Sequence, residues 1–241
     1  MSIFRALILR PLLVAAASAM TVIAASGQMT VINNPSTDTL PRGTFYIEAD
    51  LTVKPRSYAD GGFQSYGYRT VYGLDGKTDV GVSLFHTRDG ADNPTEAQLS
   101  IKRAIYSNEK WGFATSAGVT AFMPLKRIDG ERTVIVGYAN ASKTFKSVNG
   151  LRITGGVYHV LRSSSRFGRR TGITLAFEQP LTKRISVMGD WLSGRNRLGY
   201  SAGGINFTLT KRQAIAAAYN FSNSGHGDNF LYIYYMLYLG N

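Results

Sequence analysis

The chain has 241 residues, no cysteine, and 27 Lys and Arg against 15 Asp and Glu, for a formal charge of +12. Without cysteine there is neither a disulfide scaffold nor a thiolate metal centre. The three histidines, His86, His159 and His226, lie far apart and share no helical ligand spacing, so no metal and no cofactor is expected.

The first segment sets the compartment. Met1 to Arg10 carries Arg5 and Arg10, Pro11 to Ala25 is apolar, and small residues follow at Ala24, Ala25, Ser26 and Gly27. This layout predicts a secretory signal peptide over 1–27, cut between Ala25 and Gln28. The apolar run is too short, and lacks the basic flank, for a membrane anchor. The mature chain of about 214 residues is a one-domain length for a sandwich or barrel. Removing Arg5 and Arg10 leaves a charge of +10. An exported chain does not meet nucleic acid, so its anionic partners are expected to be membrane lipid phosphates or anionic solutes. No stretch after residue 27 is long and apolar enough for a transmembrane helix. A chain of this kind that spans a membrane must do so as a closed barrel.

Residues 28–43 are polar and rich in Asn, Ser, Thr and Pro, and read as an irregular N-terminal segment. From Thr44 onward, segments of about ten residues alternate in polarity between turn residues. About twelve strands are predicted, over 44–53, 63–73, 78–86, 95–105, 111–123, 132–143, 149–161, 171–179, 184–192, 198–209, 214–221 and 230–239. The Ala-rich stretch at Gln213–Ala218 is too short to outweigh this pattern as a helix. Connections at 54–62, 87–94, 124–131, 162–170 and 222–229 are long. Those at 74–77, 106–110, 144–148, 180–183 and 210–213 are short, and 193–197 is intermediate. Such sorting, with an even strand number, fits an all-β, closed, antiparallel up-and-down transmembrane β-barrel.

The two faces of the strands differ in kind. Phe45, Ile47, Ala49, Leu51 and Val53 oppose Tyr46, Glu48, Asp50 and Thr52. Leu231, Ile233, Tyr235, Leu237 and Leu239 oppose Tyr232, Tyr234, Met236 and Tyr238. The more polar face also collects glycines, including Gly67, Gly81, Gly118 and Gly156, which suits a curved, crowded lumen better than a free surface. That face is therefore assigned inward. It carries Glu48, Asp50, Arg69, Asp79, Lys102, Arg152, Glu178, Arg184 and Asp190 as lumen-lining charges. Cross-strand pairing predicts Arg69 beside Glu48, Asp50 or Asp79, Lys102 opposite Asp79, and Glu178 beside Arg152 or Arg184. Small inward residues (Gly112, Ala114, Ser116 and Gly118; Ala214, Ala216 and Ala218) leave internal space, favouring a narrow channel or ligand cavity over a solid plug.

The signal peptide, the alternating strands from 44 to 239 and the loop sorting resemble the small bacterial outer-membrane β-barrels, with a porin-like architecture. The resemblance covers nearly all of the mature chain but rests on architecture, with no specific family motif. It implies a place in the bacterial outer membrane, outer-membrane lipids and the barrel assembly machinery as partners, and a narrow channel or transporter for small polar solutes, anionic ones included. A plugged structural or surface-interaction barrel, a lipid-modifying enzyme and a soluble secreted β-protein are the other readings. One departure is the ending Tyr238-Leu239-Gly240-Asn241, where many such barrels end on an aromatic residue. Outer-membrane phospholipases pair a His with a Ser two residues on. Here His159 is followed by Leu161, with Ser163, Ser164 and Ser165 in the loop, so an enzyme is not expected. Arg162, Arg166, Arg169 and Arg170, with Arg195 and Arg197 in the next loop on that side, are candidate contacts for lipopolysaccharide phosphates or other anions. The Asp-Gly and Asn-Gly pairs, such as Asp129-Gly130, read as turns.

Overall fold

The computed structural model describes residues 29–126, 131–163 and 167–240. The predicted signal peptide therefore lies outside the described residues, as do Asp129-Gly130, Ser164, Ser165 and Arg166. Two short strands, β1 (Thr30–Val31) and β2 (Asn34–Pro35), pair with each other. Twelve longer ones follow: β3 (Phe45–Lys54), β4 (Phe63–Gly73), β5 (Thr78–Arg88), β6 (Thr95–Asn108), β7 (Phe113–Pro124), β8 (Val134–Phe145), β9 (Leu151–Arg162), β10 (Thr171–Pro180), β11 (Ile185–Leu192), β12 (Tyr200–Thr210), β13 (Gln213–Ser222) and β14 (Phe230–Leu239). Each pairs antiparallel with its sequence neighbour, and β14 pairs with β3 to close the barrel. Every strand boundary falls within about three residues of the sequence expectation.

Closure removes the sheet edges that would otherwise leave backbone groups unpaired in lipid. The connections sort completely. Those at 74–77, 109–112, 146–150, 181–184 and 211–212 lie at the end that holds both barrel termini, and the longer ones lie at the other. The connection expected to be intermediate runs from 193 to 199 and joins the long set.

The inside–outside assignment holds strand by strand. Val82, Leu84, Leu99, Ile101, Ile153, Val157, Ile173, Leu175, Phe177, Ile205 and Ile215 all face outward and are exposed, while Tyr46, Glu48, Met188, Ala216 and Tyr234 face inward and are buried. An apolar belt of this extent is costly in water and stable in hydrocarbon, at roughly 1.5–3 kcal/mol per large side chain. The wall thus carries its lipophilic surface outside and its charges inside, which is the transmembrane arrangement.

Candidate functional site: the occupied lumen

The lumen is not empty. Residues 29–40 fold back into it, starting with a small hairpin closed by the bond from Ser36 N–H to the Met29 carbonyl at 3.1 Å. The chain enters at the terminal end, where Gly43 N–H bonds to the Gly73 carbonyl at 2.8 Å. At the hairpin tip Ile32 has φ 54°, a left-handed conformation that is costly for a β-branched residue. Burial of its side chain (2% exposed) in the lumenal apolar cluster offsets that cost.

Polar side chains of the wall hold the hairpin by its backbone. On β11, Asp190 accepts from the N–H groups of Asn33 (2.5 Å) and Asn34 (2.8 Å). Asn33 Nδ2 donates to Asn220 Oδ1 on β13 at 2.7 Å. Asn140 on β8 donates to the Pro35 carbonyl at 2.6 Å, and Ser116 on β7 to the Ser36 carbonyl at 3.4 Å. Thr37 and Ser142 hydroxyls lie 2.6 Å apart. Arg152 on β9 grips Asp38 at 2.5 and 2.9 Å and Thr37 at 2.5 Å. On β5, Asp79 accepts from Leu40 N–H at 3.0 Å. The opposite side of the segment is apolar. Met29, Val31, Ile32 and Leu40 pack with Ala176, Met188, Ala202, Ala214, Ala216, Ala218, Tyr234 and Met236. The small inward residues on β12 and β13 therefore make room for the segment. Their space is filled, contrary to the expectation that it favours an open lumen over a plug.

Apart from Asp190, the inward charges fall into two groups. Glu48 and Arg69 are register partners on β3 and β4, with a 3.3 Å ion pair. Tyr46 donates to Glu48, and Tyr232 to Asp50 at 2.9 Å, so two carboxylates, one guanidinium and two phenols form one buried cluster. Asp79 and Lys102 are register partners 3.6 Å apart. Asp79 does not reach Arg69. The turn at 74–77 pairs Gly73 with Asp79 and leaves Arg69 opposite Ser83, so the charges of β3–β6 form two separate pairs. The second group continues through Arg152, which faces Glu178 across β9 and β10 at 4.0 Å.

Arg184 is a correction. It is not in the lumen but exposed in the turn before β11, because Thr182 Oγ1 caps the N–H groups of Arg184 and Ile185 and the strand begins at Ile185. Met188 takes the place opposite Glu178.

The end with the long connections is narrowed by side chains of the described residues. Phe167 and Leu198 turn inward and pack with Val134, Val136, Tyr158, Val160 and Leu192. The connection after β11 crosses the mouth. Its Arg197 forms a bidentate pair with Glu96 on β6, on the opposite side of the closed strand order, at 2.9 and 3.1 Å. The guanidinium also lies 5.0 Å from the Phe122 ring centroid. Arg197 is thus a second correction: its charge is taken by Glu96 rather than presented to an external anion. Arg162, Arg169, Arg170 and Arg195 are exposed at this rim. His159 faces outward and shares a 2.7 Å hydrogen bond with Thr171.

A closed antiparallel β-barrel of twelve strands with a lipophilic exterior and a charged interior is the fold of bacterial outer-membrane β-barrels. Solved structures agree. The chain is similar to the KdgM porin, at 6% identity over 82% of this chain and 99% of that one, with a TM-score of 0.54. It is likewise similar to the COG4313 outer-membrane channel from Pseudomonas putida F1, at 13% identity over 85% and 98%, also with a TM-score of 0.54. No protein-family model and no curated protein matches the chain.

Proposed function

We propose that this protein is an outer-membrane channel for small polar solutes that rests closed, with its own N-terminal segment as the closing element. The observation that carries this reading is the seating of residues 29–40. The segment enters from one end, runs directly into the wall's first strand, and is held by hydrogen bonds to side chains and by apolar packing rather than by strand pairing with the wall. Hydrogen bonds of that kind can exchange for water, each at a net cost of about 1 kcal/mol, or about 1.5–3 kcal/mol where a charged group takes part. The wall behind the segment is apolar on one side (Ala214, Ala216, Met188, Met236) and polar on the other (Ser116, Asn140, Ser142, Arg152, Asp190), so withdrawal exposes a passage with one polar wall. The porin and channel folds cited above support conduction. One KdgM structure is in complex with disordered oligogalacturonate, an anionic solute, which is compatible with the anion tolerance that the +10 charge suggests here.

A second reading, a permanently plugged barrel, is favoured by the apolar packing at both ends. Planar-bilayer recordings separate the two. The full chain is expected to conduct rarely and briefly, and a variant lacking residues 29–40 to conduct steadily. If that variant keeps the heat-dependent electrophoretic shift of a folded barrel yet stays silent, the channel reading fails and the plugged barrel replaces it.

A further inference from the structure

A cavity of about 540 Å³ opens at the external rim, lined by Arg169, Trp191, Gly194, Arg195 and Asn223. Its side of the wall follows from strand parity. Asp190 and Leu192 are buried inward, so Trp191 between them faces out, paired with the outward Leu175 and with Ser201. The cavity therefore lies where the wall meets the outer-leaflet headgroups, and an indole belongs at that level because it is apolar at one end and polar at the other.

The arginines distinguish this cavity from other basic surface. Arg69, Arg152 and Arg197 each have a carboxylate partner. Among the described residues, the side chains of Arg169 and Arg195 have no carboxylate or other hydrogen-bonding partner. They are nonetheless set on a firm frame. Asn196 Nδ2 donates to the Arg169 carbonyl at 2.7 Å and to the Tyr158 hydroxyl at 3.0 Å, and Asn223 Nδ2 donates to the carbonyls of Leu192 (2.8 Å) and Gly194 (3.0 Å). Gly168, at φ +85°, lets the two loops touch, since a Cβ there would lie 2.7 Å from the Arg195 carbonyl. Two guanidinium groups lining one cavity, without internal partners and beside an interfacial Trp, suit a phosphate in charge and in hydrogen-bonding capacity. Exposed Arg162 and Arg170 add positive potential on the same side.

We propose that this cavity binds the phosphate group of a phosphorylated outer-leaflet glycolipid, with Arg169 and Arg195 on the phosphate and Trp191 against the lipid body. The proposal rests on the outer-membrane placement but not on conduction.

The test uses the full mature chain in detergent micelles, titrated with a phosphorylated lipid A, the same lipid stripped of its phosphates, and inorganic phosphate. Binding is read by native mass spectrometry and by Trp191 fluorescence in a Trp111→Phe background. The phosphorylated lipid is expected to bind at least about tenfold more tightly than the stripped one, and an Arg169→Gln/Arg195→Gln variant to lose that advantage. An Arg103→Gln change at the opposite end is expected to leave it intact. Equal binding of the two lipids, or no effect of the double variant, overturns the proposal. Inorganic phosphate binding as tightly as the lipid reassigns the site to a soluble anion and overturns the lipid assignment. Loss of the heat-dependent mobility shift in the parent protein would instead indict the barrel placement, so the two failures are distinguishable.

Discussion

Asp190 anchors the lumenal hairpin by two backbone N–H groups at its tip, and replacing it tests how the segment is held. The Asp190→Ala change fits the wall, since its register partners are Ala176 and Ala202. It removes the acceptor for two hairpin N–H groups, Asn33 at 2.5 Å and Asn34 at 2.8 Å. An orphaned buried donor costs about 1–3 kcal/mol, and water entering the vacated volume brings each toward the low end. The seated state is then weakened by roughly 2–4 kcal/mol, a rise of about 30- to 700-fold in the unseated fraction. The chain has no cysteine, so a Ser36→Cys change supplies a single thiol at a position 1% exposed. Maleimide labelling of that thiol in the folded barrel reports the unseated fraction. The rate is expected to rise by that factor in Asp190→Ala, and by much less in Asp190→Asn, which keeps an acceptor oxygen. An unchanged rate in a folded Asp190→Ala barrel would refute the anchoring argument.

Other substitutions probe the wall. Arg69→Met leaves Glu48 (0% exposed) and Asp50 (5%) without their cation, and is expected to cost about 3–5 kcal/mol in urea unfolding from lipid vesicles. Breaking the exposed pair of Arg103 and Asp75 is expected to leave stability in the same assay nearly unchanged by comparison. Gly156→Ala places a Cβ 1.8 Å from Asn140 Oδ1 and 2.3 Å from the Ala139 carbonyl. It should lower the unfolding free energy by about 1–3 kcal/mol and speed the Ser36→Cys labelling, because Asn140 also holds the Pro35 carbonyl. In the turn outside the membrane, the Lys77 N–H, with help from Thr78 and Arg103, holds the Asp75 carboxyl below its usual range. That contribution is present above the ordinary carboxylate pKa and lost as pH falls through the lowered one. The stability gap between the parent and Asp75→Ala should therefore be widest near neutrality and shrink in acid.

The barrel was legible because alternation, turn residues and loop length all point one way. Each strand from Phe45 to Leu239 carries its own signal, and Glu48 opposite Arg69 follows from parity plus hairpin length. Arg184 was misplaced because parity continues through a turn, whereas a side chain does not stay inward once Thr182 has capped the strand start. Asp79 lay two inward pairs from Arg69 because turn geometry, invisible to alternation, set the register. The lumenal segment was the largest omission. Residues 28–43 have no periodicity, and their partners, Asn140, Ser142, Asp190 and Asn220, lie more than a hundred residues away. The one available sign was inward Asn residues with no cross-strand mate, alongside the polar run Asn33 to Asp38. The Arg197–Glu96 contact across the mouth was hidden for the same reason.

The central claim is that residues 29–40 occupy the lumen of the folded barrel. The most direct measurement is disulfide formation in a Thr37→Cys/Ser142→Cys variant, where the native hydroxyls are 2.6 Å apart inside the wall. Mild oxidation of the folded, membrane-inserted protein should join the two thiols completely, seen as a reductant-sensitive linked peptide by mass spectrometry. If both thiols instead stay free and react with maleimide as fast as an exposed cysteine while the barrel is intact, the segment lies outside the lumen and the account is contradicted.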